Sequence, residues 1–295
     1  MAPPKEKTLA LIRLALREDA AGRDITSRVL SPATRIRAQV IAKAPGVLAG
    51  GHVAVWTFQA VDPRLRCVLK RRDGALLARG QTILTVEGRA RSIFAAERTA
   101  LNFLGHLSGI ATLTRQFVGR VGRAAILDTR KTLPGLRTLE KHAVRIGGGK
   151  SHRADLAEAV LIKTNHLLAY RGQRIAYRKA IQRTVSLARK KAQGRMVEIE
   201  VRNFAEFLIA LEARPHAILL DNWNLSSIRK AILYATRYTL HARPLLEVSG
   251  GVTLANVRAI AKAGVDRISI GRLTHSAPSL DVSLEVMSAR TGIRE

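Results

Sequence analysis

The sequence predicts an α/β protein: a mixed α+β layer of about 90 residues, then a parallel sheet built from six β/α units. Three observations carry this reading. First, from Ala124 onward short apolar runs (124–128, 160–163, 197–201, 217–221, 245–248 and 267–270) alternate with helical patterns (138–147, 174–192, 203–213, 226–234 and 254–263). Hairpins leave no room for such helices, so the strands run parallel. Second, every one of these runs ends in chemically capable polar groups, as in barrel enzymes that build their sites at the C-terminal ends of the strands. Third, no Gly-x-Gly-x-x-Gly follows the first run, which argues against a dinucleotide-binding doubly wound sheet. A closed or incomplete barrel is therefore favoured over a doubly wound sheet.

The N-terminal elements follow in order. Residues 5–17 place Leu9, Ile12 and Leu16 at helical spacing and form an amphipathic helix. Asp24-Ile25-Thr26-Ser27 is a turn or cap. Residues 35–43 alternate as a strand, 50–61 form a helix, and 64–70 and 82–86 form strands. Two helical stretches, 93–104 and 110–121, lead into the parallel sheet.

Composition bounds the function. The chain has 295 residues and a hydrophobic fraction of 47%, enough for one large or two modest domains. No apolar run approaches the ~20 residues that span a bilayer. The polar start lacks a signal-peptide core, so a cytoplasmic location is expected. The single cysteine, Cys67, excludes an intrachain disulfide and a cysteine metal cluster. Fifty basic residues against 22 acidic ones give a net charge of +28. Surface composition, a site for small polyanions and nucleic-acid binding all fit that charge. Aromatics are only 4% and no nucleic-acid-binding motif is present, so nucleic acid ranks last.

The strand ends carry two constellations. Arg98, Arg130, Lys131, His152, Arg153 and Lys163 are cationic. Lys163 closes the apolar run Val160-Leu161-Ile162, where burying a cation without an anion is costly. Guanidinium forks bind carboxylates and phosphates, so several together point to a ligand with more than one anionic group. Glu200 and Asp221 end neighbouring strands, and Glu198 shares the face of Glu200 by the period of two. Such carboxylates neutralise nearby lysines, hold Mg2+ directly or through water, or stabilise a positively charged transition state. The last two strands end in Ser249-Gly250-Gly251 and Gly271-Arg272, where glycine lets backbone N–H groups approach a phosphate. No serine–histidine–acid or cysteine–histidine arrangement stands out. Electrostatic positioning of a phosphorylated, multiply anionic substrate is therefore expected, with no protein nucleophile.

At these residues the chain resembles the quinolinate phosphoribosyltransferase family over almost its whole length. The likeness rests on ordered blocks: Leu16-Arg17-Glu18-Asp19 with Asp24-Ile25-Thr26; Glu97-Arg98-Thr99-Ala100-Leu101-Asn102 with Leu107-Ser108-Gly109-Ile110-Ala111-Thr112; and Asp128-Thr129-Arg130-Lys131-Thr132 with Pro134-Gly135-Leu136-Arg137. It continues in Glu140-Lys141, Gly147-Gly148-Gly149, His152-Arg153, Leu161-Ile162-Lys163, Glu198-Ile199-Glu200-Val201, Leu220-Asp221-Asn222, Ser249-Gly250-Gly251 and Gly271-Arg272-Leu273-Thr274-His275-Ser276. The resemblance implies an N-terminal α/β sandwich over 1–111 and an incomplete α/β barrel, TIM-like with about six strands, over 112–275. Residues 276–295 would pack back on the sandwich. It also implies transfer of ribose 5-phosphate from phosphoribosyl pyrophosphate to quinolinate, giving nicotinate mononucleotide, pyrophosphate and CO2 in NAD biosynthesis, with Mg2+.

By the same resemblance, Thr129, Arg130, His152, Arg153 and Lys163 bind quinolinate, and Arg98 joins them from the partner subunit of a homodimer or a higher oligomer. Lys131 meets the pyrophosphate. Glu200 and Asp221 contact the ribose hydroxyls and Mg2+. Ser249, Gly250, Gly251, Gly271 and His275 cradle the 5-phosphate. Lys131, Glu200 and Asp221 are the residues expected to carry the chemistry. The sequence departs from the family at two places: Ser151 stands where Asn is usual, and Thr164 where Asp is usual. A molybdenum-transport-type relative with another substrate is the nearest alternative, and a basic nucleic-acid-binding protein on a degenerate barrel is the alternative from another class.

Overall fold

The computed structural model describes residues 3–171, 176–238 and 243–290. In chain order its elements are α1 (Lys5–Glu18), β1 (Arg35–Ala42), β2 (Gly46–Val47), α2 (Gly51–Val61), β3 (Arg66–Leu69), β4 (Leu76–Leu77), β5 (Thr82–Arg89) and α3 (Ala90–Val118). Then come β6 (Ala125–Leu127), α4 (Arg137–Ile146), β7 (Val160–Ile162), α5 (Thr164–Arg171), α6 (Tyr177–Lys191), β8 (Val197–Val201), α7 (Phe204–Ala213) and β9 (Ala217–Asp221). The last are α8 (Leu225–Tyr238), β10 (Leu245–Ser249), α9 (Val257–Lys262), β11 (Arg267–Ser269), α10 (Arg272–His275) and β12 (Val282–Arg290). The chain divides into two units, one of residues 1–115, 133–148 and 273–295, the other of 116–132 and 149–272.

The first unit is built on an antiparallel sheet in the order β12-β1-β5-β3. α1 buries Thr8, Ile12 and Leu16. The turn after it is closed by Asp24, whose carboxylate accepts from the Thr26 and Ser27 amides. The core gathers Val40, Leu84 and Val86 from the sheet with Phe58 of α2 and Ile93, Ala96 and Leu104 of α3. The two helical stretches expected over 93–104 and 110–121 are one helix, α3, of 29 residues. The sequence suggests a break because Gly105 and Gly109 interrupt the apolar pattern. The glycines instead admit a neighbouring backbone: a Cβ on Gly105 would lie 2.8 Å from the Leu280 carbonyl oxygen, and one on Gly109 would overlap that of Pro278. Close packing outweighs the helix propensity of roughly 1 kcal/mol that each glycine gives up.

The second unit holds a six-stranded parallel sheet in the order β6-β11-β10-β9-β8-β7. Strands β7 to β11 are neighbours in chain order, and β6, the first of the set, pairs with β11, the last. A doubly wound sheet reverses direction at a switch point. This order does not reverse; it is that of a barrel with a seam between β6 and β7, a partial α/β barrel. At the seam Leu127 makes one parallel bridge with Lys150. β8 and β9 read VEIEV and AILLD, and of these only Glu200 and Asp221 escape full burial. The helix expected over 174–192 is observed as α6; Arg174 falls outside the described residues. α5, which the apolar pattern does not predict, precedes it. Among the described residues no helix is long and apolar enough to cross a membrane.

Candidate active site

The ladders of the second unit set the site in rows. Asp221 pairs with Ser249, and Ser249 with Ser269, across β9, β10 and β11. One pleat earlier Leu219 pairs with Glu200 on β8 and with Glu247 on β10, and Glu247 pairs with Arg267. Side chains two apart on a strand share a face, so both rows belong to one face. That face is concave. Two strands separate β8 from β11, yet the Arg267 guanidinium lies 2.9 Å from Glu198. Residues at the C-terminal ends of these strands therefore converge.

The cations come from the connections on either side of the seam. Asp128 is fully buried and accepts the His152 amide at 2.9 Å, while its own amide donates to the Lys150 carbonyl. The segment 150–153 is thus strapped beside β6. Thr129 folds its hydroxyl back to accept the Lys131 amide at 3.1 Å. Arg130 is half-buried, and its Nε is enclosed with no acceptor. Arg153 is only 8% exposed, and its Nη1 donates to the Ala159 carbonyl at 3.1 Å. Burial, then the charge of Arg130, holds the Arg153 guanidinium below its ordinary pKa, with Glu198 opposing. Among the described residues no carboxylate forms a salt bridge with either arginine. Lys131 and Lys163 are exposed. The burial expected for Lys163 is not found: β7 is an edge strand that ends at Ile162, so the lysine leaves the sheet into solvent.

Glu200 and Asp221 are the half-buried carboxylates at the ends of adjacent strands. Thr164 donates to Glu200 Oε1 through both its hydroxyl, at 3.0 Å, and its amide, at 3.3 Å. Asn222 donates to Asp221 Oδ2 at 3.1 Å. One oxygen of each carboxylate, Glu200 Oε2 and Asp221 Oδ1, has no protein donor among the described residues. Gly250 and Gly251 both adopt left-handed φ, +84° and +61°, in the turn after β10. Ser249 accepts the Asn222 amide with its carbonyl at 2.8 Å. Gly271 follows β11 half-buried. Arg98, exposed on α3, and His275, exposed on α10 with its ring against the Ser276 hydroxyl, belong to the first unit.

Beneath the strand ends lies a buried ion cluster that the sequence pattern did not reveal. Arg267 approaches Glu198 at 2.9 Å and Glu247 at 2.7 Å. His152 donates from Nε2 to Glu198 at 2.8 Å and lies 3.4 Å from Glu247. Burial alone would lower the His152 pKa; its bond to Glu198 and the charges of Glu247 and Glu198 outweigh that and raise it. Burial, then the charge of Glu198, pushes Glu247 up to about 7. His152, Glu198 and Glu247 bring three ligand atoms within 4.8 Å of one another, a spacing that suits a metal. The Arg267 guanidinium already supplies the cation there. In the sequence Arg267 reads only as the start of an apolar run; its register opposite Glu247 was the signal.

A partial barrel whose strand ends offer arginines without carboxylate partners among the described residues, a pair of acids and a glycine turn defines an anion-binding enzyme of the α/β-barrel class. Residues 24–108 match the family model of the quinolinate phosphoribosyl transferase N-terminal domain, and residues 110–285 that of the C-terminal domain. The chain belongs to the quinolinate phosphoribosyl transferase family. It is 40% identical over 282 residues to nicotinate-nucleotide pyrophosphorylase (carboxylating) of Mycobacterium leprae, over 93% of this chain and 95% of that one. It is 39% identical over 299 residues to quinolinate phosphoribosyltransferase (decarboxylating) 1 of Nicotiana glauca, over 96% and 84% of the two chains. The structure of the nicotinate-nucleotide pyrophosphorylase from Francisella tularensis superposes with a TM-score of 0.87 at 35% identity, over 96% and 97%.

Proposed function

We propose that the protein transfers ribose 5-phosphate from phosphoribosyl pyrophosphate to quinolinate, releasing pyrophosphate and CO2 and forming nicotinate mononucleotide for NAD biosynthesis. The observation that supports this best is the pair Arg130 and Arg153. Two neighbouring guanidiniums, one of them nearly buried and neither paired with a carboxylate among the described residues, call for an anion from outside. Quinolinate brings two carboxylates on adjacent ring carbons, and each suits a guanidinium fork.

Arg130, Arg153 and Lys163, with Thr129 beside them, would hold the two carboxylates. Lys131, exposed at the strand mouth, would meet the pyrophosphate. Pyrophosphate departs with the electron pair of the C1–O bond and leaves an oxocarbenium-like ribose. The negative charge of Glu200 and Asp221 favours that cation. The quinolinate nitrogen then forms the bond to C1. The resulting pyridinium accepts the electron pair of the adjacent C–CO2 bond, and a proton from solvent fills the vacated ring carbon. Ser249, Gly250, Gly251 and Gly271, with His275, would cradle the 5-phosphate. The free oxygens Glu200 Oε2 and Asp221 Oδ1 are hard donors that suit Mg2+ directly or through water. Bound there, the ion would neutralise charge on the pyrophosphate. Arg98 would serve a partner subunit's site in a homodimer. The lone free cysteine, Cys67, suits the reducing cytoplasm.

The test is incubation of the protein with phosphoribosyl pyrophosphate, Mg2+ and quinolinate, nicotinate or nicotinamide, scoring CO2 and mononucleotide. Turnover is expected with quinolinate alone, and Arg153→Met should lower its kcat/KM by roughly 100-fold, the loss of about 3 kcal/mol of charge-assisted hydrogen bonding. Turnover of nicotinate without quinolinate, or an Arg153→Met variant close to wild type, overturns the reading.

A further inference from the structure

The resemblance gives His152 a direct contact with a substrate carboxylate, but its ring is already engaged at both nitrogens. Nε2 donates to Glu198 at 2.8 Å, and Nδ1 accepts the backbone amide of Arg153 at 2.8 Å. What the ring does hold is Arg153, through the main chain of that residue. The far end of Arg153 is held by the Ala159 carbonyl at 3.1 Å. Arg153 needs such restraint, since it lies in the repulsive field of Arg130 with little solvent to screen it.

The ring in turn takes its orientation from the cluster below. Glu198, 1% exposed, accepts from His152 with one oxygen and from Arg267 with the other. Glu247, fully buried on β10, lies 2.7 Å from the same Arg267 nitrogen and 3.4 Å from His152. Arg267 thus fixes two carboxylates that would otherwise repel each other. The order is Arg267, Glu198, His152, the Arg153 amide, and then the guanidinium that faces the ligand.

We propose that Arg267 and Glu247 are positioning residues for the dicarboxylate substrate, acting through Glu198 and His152 to set Arg153. The inference rests on the reading of the reaction given above. It places part of the specificity for the acceptor in the layer beneath the arginines, and it leaves the phosphoribosyl side of the site, on Glu200, Asp221 and the glycine turn, outside its reach.

The experiment separates the two substrates. Steady-state KM for quinolinate and for phosphoribosyl pyrophosphate is measured for the wild type, Arg267→Met, Arg267→Lys and the double variant Arg267→Met with Glu247→Gln. Arg267→Met should raise the KM for quinolinate about tenfold or more while that for phosphoribosyl pyrophosphate changes less than about twofold. The double variant removes the uncompensated second carboxylate and leaves Glu198 free to hold His152, so it should recover most of the loss. It also serves if Arg267→Met does not fold, and Arg267→Lys should fall between the wild type and Arg267→Met. A rise in both KM values together, no rise in either, or a double variant no better than the single overturns the proposal. A wild type that turns over no quinolinate overturns the reading of the reaction, and this inference with it. Wild-type turnover with unselective variants overturns the inference alone.

Discussion

Two adjacent glycines separate backbone conformation from side-chain placement at the end of the site proposed for the phosphoribosyl group. Gly250 and Gly251 both have positive φ, so an alanine at either position costs about 1–2 kcal/mol in left-handed strain. Their surroundings differ. A Cβ on Gly251 meets nothing within 4 Å, whereas one on Gly250 would overlap Asn222 Oδ1 and fall 2.5 Å from its Cγ. Gly250→Ala must turn the Asn222 side chain away and so lose its 3.1 Å hydrogen bond to Asp221, worth about 1 kcal/mol. The expected destabilisation is roughly 2–3 kcal/mol for Gly250→Ala against roughly 1–2 kcal/mol for Gly251→Ala, read from urea unfolding by linear extrapolation. Initial rates should separate them further. Gly250→Ala shifts a partner of Asp221, so its KM for phosphoribosyl pyrophosphate should rise about tenfold, and Gly251→Ala should stay within about threefold of wild type. Equal effects of the two alanines on both stability and KM would refute the argument.

Two further outcomes follow from the buried and half-buried acids. Thr164→Val removes the hydroxyl that donates to Glu200 and keeps the amide, so kcat/KM should fall about fivefold for about 1 kcal/mol of lost orientation; an unchanged rate would show that the hydroxyl contributes nothing. Glu247 ionises near 4.5 when unfolded but keeps its proton to about 7 when folded, so the native state binds more protons in that window and stability falls as pH rises through it. The raised pKa of His152 acts in the same direction, its contribution present below 6.5 and lost at higher pH. Urea midpoints measured across that window should decline with pH in the wild type and decline less in Glu247→Gln; parallel curves would contradict the assignment.

The barrel strands are legible because each is a short apolar run closed by a polar group, and Val197–Val201 and Ala217–Asp221 appear with the bounds expected. That Glu200 and Asp221 close adjacent strands follows from the order of the apolar runs. Other features were not legible because they depend on contacts between residues far apart in sequence. Helix α3 continues through Gly105 and Gly109 only because the 278–280 backbone packs against them. Arg267 looks like the edge of a hydrophobic run until β11 is placed beside β10 and Glu247 comes into register with it. The apolar run predicts a buried Lys163, yet β7 is an edge strand that stops at Ile162, and the lysine after it is open to water.

The seam in the sheet divides the labour between folding and recognition. Five continuous ladders lock β7 through β11 and β6 into register, so a change within them disturbs a neighbour on each side. Across the seam, among the described residues, the ladder shrinks to the bridge of Leu127 with Lys150, and this stretch carries Arg130, Lys131, His152 and Arg153. Arg130 and Arg153, proposed above to hold the acceptor, therefore sit where the sheet has its shortest ladder. Substitutions confined to 154–159, the stretch that leads from Arg153 to the Ala159 carbonyl holding it, should therefore change the preference among aromatic acids more than they change the urea midpoint.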